Sequence, residues 1–395
     1  MRRRSPAAAL AVGVLVVAAA LAGCESPVPF HPPGEGPADG PVVDLGGAAP
    51  YVRTRPPAAT GAPDPEAPLP SPPLGGGATG GAPVRPSTSP VRLYVANGPV
   101  IDVIDPVTAR IVQRIGAGPA TARVVPSFDL RRLWATDLAH GTLTPVGPRS
   151  GARGRAVAAT EPAGLYFTPD ERDALVLAGR ARRLDVRDPR TMRPRLSVPL
   201  PCAAAHADFT PDGASLLASC AGAGRLLRVD VARRQVTGTI RLPDGARPGD
   251  LRLSPDGARF YVADPARGGV WVIAARPTVG PPGFVPTGPG ARGLALDRDA
   301  RRLFVVGDAA LTALDLAGGG VAARWPLPRG GSPAPGGLSA DGAELWLADA
   351  AGMVYAVSTR TGRTLRQVWV GGRPSALLVH PQPGRYSLGG TGLYR

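Results

Sequence analysis

The chain has 395 residues, a formal net charge of +15 and only 5% aromatic residues. All 45 basic side chains are arginine, mostly single or paired, and no arginine–aromatic stripe runs along the chain, which argues against stacking on nucleic acid. Abundant alanine, glycine, proline and arginine are what a GC-rich coding sequence produces. The same positive excess also suits anionic lipid headgroups or cell-wall polymers.

The N-terminus reads Arg2, Arg3 and Arg4, an apolar stretch over residues 7–21, and then Leu21-Ala22-Gly23-Cys24. A basic start, a short apolar run and small residues before a cut site make residues 1–23 a secretory signal peptide. The last four residues resemble the bacterial lipobox, whose cysteine receives a diacylglyceryl thioether and becomes the new N-terminus. The resemblance implies lipid attachment at Cys24 and a mature protein held on the extracytoplasmic face of the cell membrane, where multiple acyl chains anchor stably. The alternative is an uncleaved anchor, but the run is shorter than the roughly 20 apolar residues that span a bilayer. Without the three signal arginines the charge is still +12.

Residues 24–88 are rich in proline, glycine and alanine and lack apolar periodicity. Such a segment cannot bury enough surface to order itself and reads as a disordered tether. Extended at about 3 Å per residue, it would reach on the order of 200 Å.

Residues 89–395 change character: apolar residues alternate, and turn residues punctuate them. A Ser/Thr-Pro-Asp-Gly cluster followed by an apolar run recurs with its aspartate at Asp129, Asp170, Asp212, Asp256, Asp299 and Asp341, and Gln382 fills the last slot, a period of 41 to 44 residues. Short strands at that period predict an all-β β-propeller of four-stranded blades. One full unit runs from Gly249 through Ser254-Pro255-Asp256-Gly257 to the strand Arg259-Phe260-Tyr261-Val262-Ala263-Asp264 and beyond. At the start of the domain, Arg92-Leu93-Tyr94-Val95-Ala96-Asn97 aligns with a second strand and has no first strand before it. Ala376-Leu377-Leu378-Val379-His380 supplies that strand from the other end of the chain, so the count is seven blades, closed by pairing of the N- and C-terminal segments. Residues 384–395 are surplus, and eight blades is the alternative if they add a strand.

Tyr94-Val95-Ala96-Asn97, Tyr261-Val262-Ala263-Asp264 and Trp346-Leu347-Ala348-Asp349 resemble the Tyr-Val-Thr-Asn repeat of YVTN-family propellers, the YncE-like and surface-layer type of exported bacterial protein. Leu177-Ala178-Gly179 and Phe304-Val305-Val306-Gly307 depart from it. The resemblance implies a WD40-like repeat scaffold, with no catalytic residues to carry over.

No histidine pair has metal spacing, and no Cys-x-x-Cys, Gly-x-Ser-x-Gly or phosphate-binding loop appears, so neither a metal nor a cofactor is expected. Positions three and five before the marker are apolar in nearly every unit and read as inter-blade core. Six before it stand Arg123, His206 and Asp250; four before it stand Asp208 and Arg252. These residues are expected to form a polar cluster at the channel mouth, with Glu161, Arg247, Arg292 and Arg373 nearby, suited to an anionic ligand. The structural alternative is an inter-blade Asp208–Arg252 ion pair. Cys202 and Cys220 flank one hairpin and are expected either to form a disulfide or to remain buried thiols. The expected function is a membrane-anchored, monomeric binding or scaffold module for an envelope protein or anionic cell-wall polymer, without chemistry of its own. The alternative is a lactonase- or lyase-like propeller enzyme with its site at the channel mouth.

Overall fold

In a computed structural model, residues 90–381 are described, apart from 278–279, 329–332 and 340. The expected signal peptide, Cys24, the tether and the 384–395 segment lie outside the described residues. Within them the chain is all β, save for one turn of 3₁₀ helix at Ala221–Ala223.

The turn that marks each unit has a local cause. Thr210 Oγ1 donates to Asp212 Oδ1 at 2.6 Å, and the same carboxylate oxygen accepts the Ala214 N–H at 3.0 Å. Ser127 and Asp129 repeat the side-chain contact at 2.6 Å. This is the Asx geometry that reverses a chain in two residues. The residue after the marker must then be left-handed, at φ 66° for Gly213 and 68° for Gly257, which glycine adopts without penalty. Leu130 and Ala300 take the same conformation at φ 56° and 57° and carry its strain.

These hairpins build five four-stranded antiparallel sheets and one six-stranded sheet. The innermost strands of the five are Pro162–Phe167, His206–Phe209, Leu251–Leu253, Gly293–Leu296 and Ala334–Leu338. Each packs against its neighbour around an axis, and Ala334–Leu338 meets Ala376–His380, which meets the long strand Arg110–Pro126. The result is a closed β-propeller.

The expected seven separate blades are corrected to six sheets. The first two units share one hydrogen-bonded ladder, because their connectors stay extended and paired. Within strand Arg92–Asp105, residues 92–96 pair with Ala376–His380 and residues 100–105 pair with the start of Arg110–Pro126. Gly98, in the connector, pairs with Thr121, and residues 121–126 go on to pair with Leu133–Asp137. Register shifts at both joints absorb the bends that elsewhere separate one blade from the next.

Closure is by the chain ends: Arg92 lies opposite His380, and Ala96 opposite Ala376, in antiparallel register. This leaves no open inner edge between the first and last units.

The core lies between sheets. Side chains three and five residues before each marker face back onto the preceding sheet, so that Ala207 and Phe209 pack with Tyr166 and Leu175. Leu165 and Phe167 likewise pack with Val125 and Trp134. Side chains four and six before the marker therefore face the following sheet. Period-two alternation on a strand buried on both faces imposes this division.

Candidate functional site

Each innermost strand begins at the end of the ring where its antiparallel second strand finishes, so two layers of expected site residues gather there. The inner layer is buried. Arg123 is 4% exposed, His206 7% and Arg252 6%, while Asp208 and Asp250 are fully buried.

Arg123 and His206 stand two units apart, yet Arg123 Nη2 lies 3.4 Å from His206 Nε2. Strands that far apart in the ring approach only at its inner edge. The intervening strand carries Gly164 at the same level, where a Cβ would stand 2.8 Å from Tyr166 Cε2 and 3.0 Å from the Ala205 carbonyl oxygen. Arginine is donor-only, so His206 Nε2 accepts and its proton sits on Nδ1. That Nδ1 is 3.7 Å from Asp250 Oδ1, too far for a hydrogen bond. Burial, then Arg123 and Arg252, push the His206 pKa well below its usual value, and the ring is neutral.

The two carboxylates link sheets. Asp208 Oδ2 accepts the Leu253 N–H at 2.7 Å, and its Oδ1 accepts the Phe209 N–H at 2.8 Å. Asp250 Oδ2 accepts the Leu294 N–H at 2.9 Å, again from the following sheet. Burial nonetheless raises the Asp208 pKa well above the carboxylate range, against the pull of those bonds and of Arg252. The ion pair of Arg252 is with Asp250, at 2.8 Å, two residues back on the same strand. The link from Asp208 to the following sheet is thus side chain to backbone, while Arg252 and Asp250, two apart on one strand, share a face.

The outer layer explains the repeat's terminal Asn or Asp. Asn97 Oδ1 accepts the Arg373 N–H at 2.9 Å, Asp137 Oδ2 accepts the Ala120 N–H at 3.1 Å, and Asp264 Oδ2 accepts the Arg247 N–H at 3.0 Å. Each clip fixes the connector that feeds the next innermost strand. It leaves the Arg247 and Arg373 side chains exposed at equivalent places. Where the motif is lost at Gly179, the carboxylate comes from the other side: Glu161 Oε2 accepts the Ala181 N–H at 2.9 Å, and Oε1 pairs with Arg180 at 3.2 Å. Where it is lost at Gly307, Arg292 pairs with Asp308. Glu161 and Arg292 are therefore matched by neighbouring charges, unlike the buried group around Arg123.

Tyr166 joins the buried layer and was not expected there. Its hydroxyl accepts the Ala207 N–H at 2.9 Å, and its pKa is raised by burial. The sequence signal was an aromatic residue two positions after Gly164, inside a strand otherwise apolar.

Cys202 and Cys220, both buried, are joined by a disulfide with Cα atoms 6.0 Å apart. Cys202 precedes the strand His206–Phe209, and Cys220 ends the strand Ser215–Cys220, so the bridge closes the hairpin just beyond its last paired residues, His206 and Ser219. Among the described residues, no group of three or more His, Cys, Asp or Glu side chains is arranged to hold a metal ion.

No protein-family model matches the chain, and no curated protein matches it in sequence. Solved structures do resemble it in fold. A hydrazine synthase structure from Kuenenia stuttgartiensis aligns over 69% of this chain and 90% of its own, at 17% identity and a TM-score of 0.55. A functionally unknown protein from Desulfotomaculum acetoxidans DSM 771 aligns over 74% and 99%, at 14% identity and a TM-score of 0.62. The Cps50 (Swd1) β-propeller domain from Myceliophteria thermophila aligns over 66% and 90%, at 13% identity and a TM-score of 0.54. At these identities the likeness concerns architecture alone.

Proposed function

We propose that this β-propeller is a lipid-anchored, extracytoplasmic binding module of the YVTN type, and that it captures an anionic cell-envelope polymer through arginines at one end of its ring. The supporting observation is how the charged groups divide. Asp208 and Asp250 both accept backbone N–H groups of the following sheet, so the carboxylates of the buried layer hold the ring together. Arg247 and Arg373 are positioned by backbone clips with their side chains exposed. Exposed guanidinium groups on a clipped backbone favour phosphate or carboxylate recognition. Acylation at Cys24 and the tether over residues 24–88 would let such a module sweep the space above the membrane, raising its effective concentration at envelope sites.

The test is co-sedimentation of the full mature chain with a poly(glycerol phosphate) polymer and with isolated cell wall. The parent should bind, with binding falling as salt screens the charges, and Arg247→Gln/Arg373→Gln should bind at least about tenfold more weakly. Equal binding by parent and variant would overturn the reading.

A further inference from the structure

Asn97 is the only asparagine in the chain, and the residue after it is Gly98. An asparagine followed by glycine is the pairing most prone to deamidation, because glycine carries no side chain to shield its backbone nitrogen. In that reaction the Gly98 nitrogen attacks Asn97 Cγ and forms a C–N bond, and the side-chain nitrogen leaves as ammonia with the displaced proton. Water then opens the resulting succinimide at either carbonyl, leaving an aspartyl or an isoaspartyl residue. The net change is water taken up and ammonia released, with no oxidant or reductant.

The folded ring holds this side chain away from that path. Asn97 is buried; its Nδ2 donates to Asp102 Oδ2 at 2.8 Å and to the Gly371 carbonyl oxygen at 3.1 Å, and its Oδ1 accepts the Arg373 N–H at 2.9 Å. Cγ cannot turn onto the Gly98 nitrogen without breaking these bonds. Gly371 and Arg373 belong to the connector into the closing strand Ala376–His380, so the side chain is released when the chain ends part. Asn97 also lies one residue beyond Ala96, the last to pair with that strand, and the end of a ladder is where local opening begins.

The product does not suit the place that the amide leaves. Asp264 and Asp349 hold this position in other units, and each accepts the N–H of the residue two further on, Ala266 and Ala351. The residue two beyond Asn97 is Pro99, which has no N–H to give. Opposite stands instead the fully buried Asp102 carboxylate, paired with Arg114 at 2.8 Å. A carboxylate in place of the amide sets an acceptor where Nδ2 now donates, against both Asp102 and the Gly371 carbonyl. We propose that Asn97-Gly98 is a deamidation site guarded by ring closure, and that its conversion, once the chain ends part, prevents this clip from re-forming. The proposal does not depend on the polymer reading.

The experiment incubates the full mature chain in mildly alkaline buffer without urea, with urea below its unfolding midpoint, and with urea above it. Peptide mass spectrometry follows conversion at Asn97, and tryptophan fluorescence reports the fold. Conversion should be at least about tenfold slower in the folded chain than in the unfolded one. It should also rise with urea before the fluorescence changes, the mark of local opening. No conversion in the unfolded chain, equal rates in the two states, or conversion that begins only with global unfolding would overturn the proposal. Asn97→Asp should have a lower urea midpoint than the parent, and an unchanged midpoint would show that the place accepts a carboxylate and refute the second half. Should Asn97→Asp fail to fold, parent aged in urea decides: the fraction regaining native fluorescence on dilution should fall in step with conversion, and full recovery of converted chains refutes it.

Discussion

Asn97 and Arg373 lie 276 residues apart in the chain, and the amide oxygen of the first accepts the backbone N–H of the second at 2.9 Å. The same side chain donates to Asp102 Oδ2 at 2.8 Å and to the Gly371 carbonyl oxygen at 3.1 Å. One residue at the end of the first paired segment thus secures the connector into the last strand, and so the closure of the ring. Replacing Asn97 with Ala removes an acceptor and leaves the Asp102 carboxylate short of a donor. The expected loss is about 2 kcal/mol, within the range for orphaned buried polar groups. Urea denaturation followed by tryptophan fluorescence measures it, and a change in midpoint of a few tenths of that size would show that closure rests on the ladder alone.

Gly164 is held by sterics rather than by backbone conformation. An added methyl would stand 2.8 Å from Tyr166 Cε2 and 3.0 Å from the Ala205 carbonyl oxygen, and the latter is backbone of the next sheet. Gly164→Ala is expected to destabilise by about 1–3 kcal/mol, the usual penalty for overpacking. Urea denaturation measures it, and a Gly164→Ala chain as stable as the parent would show that Tyr166 and the Ala205 backbone give way to the added methyl.

The buried histidine predicts a pH dependence. The folded chain holds His206 neutral, with its pKa depressed, so the unfolded chain takes up the proton first as pH falls through about 6.5. The contribution of His206 to stability is full above that pH and declines below it, by at most about 1.4 kcal/mol per pH unit. Asp208 acts with the opposite sign, since its raised pKa makes the folded state the better proton binder as pH rises past the ordinary carboxylate value. The parent shows the difference of the two, and His206→Gln removes the histidine share. Stability of the variant relative to the parent should therefore improve between pH 7 and pH 5. A constant difference across that window would show that His206 is not held neutral.

The disulfide joins cysteines 18 residues apart. Closing a loop of that size restrains the unfolded chain and contributes about 3 kcal/mol. Cys202→Ala/Cys220→Ala should lower the denaturation midpoint accordingly, and reductant should do the same to the parent without affecting the variant. A parent insensitive to reductant under partly denaturing conditions would argue against the estimate.

The repeat, the strand alternation, the marker turns and the pairing of the chain ends were all legible in the amino-acid sequence, because each rests on local chemistry. An Asp such as Asp212 with Thr210 before it and Gly213 after it makes a turn wherever it occurs, and period-two alternation decides which residues face a neighbouring sheet. The inward positions of Phe209, Leu251 and Leu253 follow from the same rule. Tertiary structure alone decided which polar groups meet. Arg252 turned to Asp250 on its own strand, Asp208 found the Leu253 N–H, and Glu161 and Arg292 found Arg180 and Asp308. The long connectors around Gly98 and Thr121 merged two units into one sheet. Arg123 met His206 across a strand that carries Gly164 at the same level. Long, flexible charged side chains can satisfy several partners at similar cost, and the choice depends on distances of an ångström or less across strands far apart in sequence, which no periodicity encodes.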